Sequence, residues 1–269
     1  MEFWEQYRSE FPVTERWAYM NHAAVAPLSR RAATAMQGTI EDVCRNGVTN
    51  HKDWDQVYSS LRSSAARLIG ATADEIAIIK NTTEGLAVVA NGINWRPGDV
   101  AVAVEGEFPA NYYPWQHLQK RGVSVRWAPQ RGGRVELEDL DRACQGARLL
   151  TISFVQYLSG FRIDLEKVGE ICARHGCLLV VDAIQGLGVF PVDVRKAGIH
   201  ALAADGHKWL LGPEGCGILY IASEVIPQIE PTEFGWTSVA RWRDYRSRDA
   251  TPRPGAARYE CGTLNTAGC

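Results

Sequence analysis

The chain has 269 residues, 46% of them hydrophobic, with 29 basic side chains against 31 acidic ones and a formal net charge of −2. That is enough apolar material for one large core or two smaller ones, which excludes a disordered chain and a disulfide-stapled miniature fold. Intermixed charges of near-zero sum leave no electrostatic footprint for nucleic acid or an anionic membrane.

The N-terminal MEFWEQYRSEF is acidic and amphipathic, without the apolar core of a signal peptide. Residues 2–10 read as a short helix ending before Pro12, and residues 18–21 as a brief strand. A helix over 28–45 with Pro27 at its entrance follows, then a second over 53–69. From there strands and helices alternate. Strands are expected at 75–79, 100–104, 123–127, 149–155, 178–182, 201–204 and 217–221. Helices are expected at 83–90, 110–120, 137–143 and 165–175. Apolar strands alternating with amphipathic helices indicate a mostly parallel sheet covered on both faces, with ligands gathering at the carboxyl ends of the strands.

The apolar runs are strand-length, too short to cross a bilayer. Seven cysteines are scattered without a CxxC pair, so free thiols in a reducing compartment and no metal site are expected. A cytoplasmic protein follows.

Two segments carry the strongest chemical signal, VVDAIQG and ADGHKWLLGPEGCG. Asp182 ends one buried strand, and Lys208 follows the next. Taken singly, an aspartate at a strand end is a turn former and a lysine is a solvated surface residue. This lysine, however, lies between a histidine and a tryptophan inside a Gly-rich run. Burial there lowers the amine's pKa and makes it a nucleophile for a cofactor aldehyde. A buried carboxylate such as Asp182 pairs with a protonated pyridine nitrogen, and Gln185 is placed to donate to a phenolic oxygen. In NTTEG, Thr82 and Thr83 open a helix whose free N–H groups suit an anion, with His207 as a further phosphate donor. In EGEFPANYYPWQ, Phe108 follows a strand and is placed to cover one face of the cofactor.

Together with YMNHAAVAPL, FGWTS and RYECGTLNTAG, these motifs resemble the class V aminotransferase family of pyridoxal-phosphate enzymes. That family includes cysteine desulfurases, selenocysteine lyases, isopenicillin N epimerase-like proteins and kynureninase relatives. The resemblance runs from about Tyr19 to the C-terminus. It implies a fold-type I, three-layer α/β/α domain with a mostly parallel seven-stranded sheet. Residues 1–20 would be an N-terminal segment, 21–251 the cofactor-binding large domain, and 252–269 the start of a truncated small domain.

The resemblance also implies that Lys208 forms the Schiff base with pyridoxal 5'-phosphate, and that Asp182 partners the ring nitrogen. Gln185 would contact the phenolic oxygen; Thr83, the amide of Thr82 and His207 would take the phosphate. Asn21, His22 and Ala23 would line the substrate side. In the family's homodimer, Trp236 or Thr237 would reach the neighbouring subunit's phosphate. The expected activity is transferase, lyase or epimerase chemistry on an amino acid; the alternative is an impaired fragment or a non-catalytic scaffold. Three departures stand out. Phe108 replaces the stacked histidine of desulfurases, and Asp205 replaces a serine or threonine that helps hold phosphate, so its carboxylate is expected to point elsewhere. The chain also stops at Cys269, where relatives continue into the small domain.

Overall fold

The computed structural model describes residues 2–269. Its first part is helical, with α1 (Phe3–Tyr7), α2 (Arg30–Asn46) and α3 (His51–Ile69). The Ser29 side chain accepts the Ala32 N–H at 3.2 Å, so the cap sets the start of α2 two residues past the one expected. Gly70, in the left-handed region, closes α3. Residues 18–21 are not a strand, because no sheet edge runs beside them. Instead the Tyr19 hydroxyl donates to the Val25 carbonyl at 2.5 Å, and the Ala26 N–H donates to the His207 carbonyl at 2.8 Å.

The alternation then proceeds through β1 (Ile76–Ile79), α4 (Thr82–Gly92), β2 (Val100–Val104), α5 (Tyr113–His117) and β3 (Ser124–Ala128). It continues with α6 (Leu137–Cys144), β4 (Leu149–Ser153), α7 (Leu165–His175), β5 (Leu178–Asp182), β6 (Ala201–Asp205) and β7 (Gly217–Ile221). The expected 110–120 helix is broken into α5 between two 3-10 turns, Pro109–Asn111 and Leu118–Arg121. Pro109 and Pro114 have no N–H to give, so each can only open a helix.

The seven strands form one sheet in the order β1-β7-β6-β5-β4-β2-β3. Only β7 runs against its neighbours, which leaves β1 parallel to the other five. Most strand residues are buried, as in sheets covered on both faces. α4 packs with α5, and α6 with α7; right-handed crossovers put the two pairs on opposite faces, giving three layers. Gly85 lets α4 lie close on the sheet, since a Cβ there would come within 2.8 Å of Ala203 and Ile79. Among the described residues, no helix is long and apolar enough to cross a membrane.

Candidate active site

Because β1, β2, β4, β5 and β6 are mutually parallel, the loops at their carboxyl ends meet along one edge. They enclose a cavity of about 500 Å³ lined by Asn21, Ala23, Thr82, Thr83, Phe108, Tyr157, Asp182, Gln185, Asp205, His207 and Lys208, among others. Nine of the twelve residues singled out from the sequence therefore share one space. Of the other three, His22 turns to stack on Trp209, with ring centroids 5.2 Å apart and planes 13° from parallel. Trp236 and Thr237 stand in a second cavity of about 570 Å³. That cavity is slightly larger, yet its carboxylates and guanidiniums are already paired with one another. Chemistry, not size, picks the first.

Lys208 lies in the loop after β6. Gly206 makes this loop possible, since a Cβ there would sit 2.5 Å from the Cys216 carbonyl. Leu211, the one non-glycine residue with a positive φ among the described residues (59°), accompanies the turn back. A left-handed leucine costs about 1–2 kcal/mol, and such strain persists where the surroundings enforce it. Burial pushes the Lys208 amine down, against the opposing pull of Asp182 and Asp205. Its Nζ is 5.6 Å from the centroid of the Phe108 ring, which is itself 43% exposed and meets Tyr157 edge-on at 5.2 Å.

Asp182 is 3% exposed and accepts the Ile184 N–H at 3.1 Å through one oxygen. Burial raises its carboxyl to about 7, the charge of Glu107 adding to the rise while the Ile184 N–H and Lys208 oppose it. Its second oxygen receives no hydrogen bond from the described residues. Gln185 is held between Ala23 and Trp209: its amide nitrogen donates to the Ala23 carbonyl and its oxygen accepts the indole N–H, both at 2.9 Å.

At the start of α4, the Asn81 side chain accepts the Glu84 N–H at 2.9 Å, leaving the amides of Thr82 and Thr83 without an acceptor among the described residues. The Thr82 hydroxyl is buried and committed to the Asp205 N–H at 3.0 Å; Thr83 is exposed to the cavity. The Asp205 carboxylate lines the cavity but is drawn onto the Gly206 N–H at 2.7 Å. Its other oxygen is 2.9 Å from His207 Nδ1, without the alignment of a hydrogen bond, so that buried nitrogen stays unsatisfied.

The sequence reading passed over Glu107 and Tyr157. Glu107 had no signal of its own: it is the second of two acids in the turn after β2, three residues past Val104.

The chain belongs to the class V aminotransferase family, an enzyme family whose model matches residues 18–269. It is 32% identical over 98% of its length to a probable cysteine desulfurase of Methanothermobacter thermautotrophicus, covering 67% of that protein. In structure it resembles the cysteine desulfurase of Thermococcus onnurineus, with a TM-score of 0.89 and 28% identity over 100% of this chain and 68% of that one. It also resembles a mutant of C-DES with glycine covalently linked to the PLP cofactor, with a TM-score of 0.88 and 25% identity over 97% and 70% of the two chains. The chain thus spans about two thirds of the length of these relatives.

Proposed function

We propose that the cavity binds pyridoxal 5'-phosphate and serves a reaction on an amino acid, of transferase, lyase or epimerase type. One observation carries this reading: a half-buried lysine and a buried aspartate with an open oxygen share a cavity with the free amides of a helix N-terminus. The donor set fits the cofactor group by group. Lys208 would hold its aldehyde carbon, Asp182 its ring nitrogen and Gln185, through its remaining amide hydrogen, its phenolic oxygen. The amides of Thr82 and Thr83, the Thr83 hydroxyl and His207 would hold the phosphate, and Phe108 would cover one ring face. The similar C-DES structure, with glycine linked to its PLP cofactor, supports the reading.

When bound, the cofactor supplies an electron-withdrawing ring that weakens bonds at the α-carbon of an amino acid. Burial keeps the Lys208 amine available as a base, which takes a proton from the α-carbon or returns it. Phe108 carries no exchangeable proton, so proton handling falls to Lys208. Asn21 and Ala23 border the substrate side. We further take residues 21–251 as the cofactor-binding unit, acting as a homodimer in the cytoplasm, with Trp236 or Thr237 facing the neighbouring subunit's phosphate.

The test is borohydride reduction of the protein with added pyridoxal phosphate, followed by peptide mapping. Label is expected on Lys208 and is expected to vanish in Lys208→Ala. A folded protein that takes no label, or takes it elsewhere, overturns the reading. Label on Lys208 without conversion of any amino acid would favour a second reading, a cofactor-binding unit that does not turn over.

A further inference from the structure

Behind Asp182 lies a second carboxylate that the chemistry above leaves unused. Glu107, in the turn after β2, is 6% exposed. One of its oxygens accepts the Ser153 N–H at 2.8 Å and the Gln156 Nε2 at 3.1 Å; the other accepts the Ser153 hydroxyl. Ser153 ends β4 and sits directly opposite Asp182 in the parallel register with β5. The two carboxylates are therefore neighbours across one serine. No arginine pairs with either among the described residues. The ionisable groups that bear on Asp182 are Glu107, from the β2 turn, and Lys208, from the loop after β6; Asp205 and His207 share the cavity.

Two like charges in one desolvated site do not ionise together, so one carboxyl holds its proton to higher pH than the other. Hydrogen-bond donors decide which. Glu107 receives three, and Asp182 receives one, from Ile184. Burial raises the Glu107 carboxyl as it raises that of Asp182, but more donors oppose the rise at Glu107, so Glu107 ionises first and Asp182 holds its proton to higher pH.

We propose that Glu107 is a positioning residue that keeps one proton on the cavity-facing oxygen of Asp182, ready for a ligand with a basic ring nitrogen. This rests on reading the cavity as a pyridine-ring cofactor site. On binding, one proton stays between that oxygen and the ring nitrogen and the aspartate becomes the counter-ion; where the ligand arrives already protonated, the carboxyl proton leaves to the buffer. Glu107 touches neither ligand nor reacting atoms; it acts through Asp182.

The direct measurement is a carbon-13 NMR titration of the aspartate carboxyls in the protein without added cofactor, with Asp182→Asn identifying the resonance. The expected midpoint is about 7 in the parent chain. In Glu107→Gln it is expected to fall by about one unit or more, because the neighbouring charge is gone. Ser153→Ala strips one donor from Glu107, shifts the proton toward it, and is expected to lower the Asp182 midpoint by a smaller amount. This variant carries the test if Glu107→Gln does not fold. An Asp182 midpoint unmoved in the folded variant or variants overturns the proposal.

Calorimetry of pyridoxal phosphate binding at pH 6.5, in buffers of different ionisation enthalpy, gives the second readout. Glu107→Gln is expected to show a larger net proton uptake, or a smaller release, than the parent, because less of its Asp182 carries a proton. Equal uptake would also overturn the proposal. A shifted titration in a parent chain that fails to bind pyridoxal phosphate would sink the proposed function and leave the carboxylate pair standing. Normal cofactor binding with an unshifted titration would sink the pair alone.

Discussion

Glu260 and Asp182 are both almost fully buried carboxylates, and the chain treats them in opposite ways. Glu260 faces the Arg62 guanidinium at 2.6 and 2.7 Å, accepts the Ile78 N–H at 2.9 Å and has Arg253 within 3.9 Å. It ties α3, β1 and the C-terminal segment together, and nothing of its charge is left to offer. Asp182 has one backbone N–H, a like-charged neighbour and a lysine that burial pushes toward neutrality. A buried charge costs several kcal/mol unless it is paired, so a buried carboxyl left without a cation tends to keep its proton and marks a place reserved for a ligand. The fold spends its arginines where shape must hold and withholds them where chemistry must happen.

The sharpest way to break this comparison is Arg62→Ala. Removing one partner of a buried pair leaves the other charge uncompensated, and the expected loss is about 3–5 kcal/mol in urea unfolding. A loss under about 1 kcal/mol would mean that Glu260 is not the locked member.

Asp182→Asn should behave in the opposite sense in the protein without cofactor. The folded carboxyl is raised to about 7 from an ordinary 3.8, so the folded state binds more protons than the unfolded state between those values. The parent chain therefore loses stability relative to the variant as pH rises from about 4 to 7, by at most about 4 kcal/mol, and the gap is constant above that. Unfolding midpoints that stay parallel across this range would contradict the open-carboxylate picture.

Thr83→Ala is the mildest case. Its hydroxyl has no partner among the described residues, so the unfolding midpoint should stay put. Binding of pyridoxal phosphate should weaken roughly five-fold, the worth of about 1 kcal/mol for one hydrogen bond.

Strands were the most legible part of the sequence, since runs such as LLVVD and GILYI are apolar throughout and bounded by turn residues. The expected 110–120 helix is interrupted because Pro109 and Pro114 have no N–H to give and each starts a new turn. Residues 18–21 have strand composition, but a strand also needs a neighbour, and pairing is not a local property. The same holds for the thiols. Cys144, Cys172 and Cys177 look scattered along the chain, yet the packing of α6 on α7 brings their sulfurs within 4.8 Å of one another. Lys208, Asp182 and Gln185 were readable because they sit within two short segments at strand ends. Glu107 was not, because its meaning comes from the register of β4 against β5.

The hydrogen bond from Ala26 to His207 joins positions 181 residues apart (207 − 26). Closing so long a loop is entropically slow, and contacts of this separation form late in folding. The cavity wall made by Asn21 and Ala23 hangs on that closure. During synthesis strands β2 to β5 can pair before Lys208 has left the ribosome, whereas β1 must wait for β7 and the N-terminal wall for His207. Competence to bind a ligand is then among the last properties the molecule acquires and, on partial unfolding, among the first it gives up.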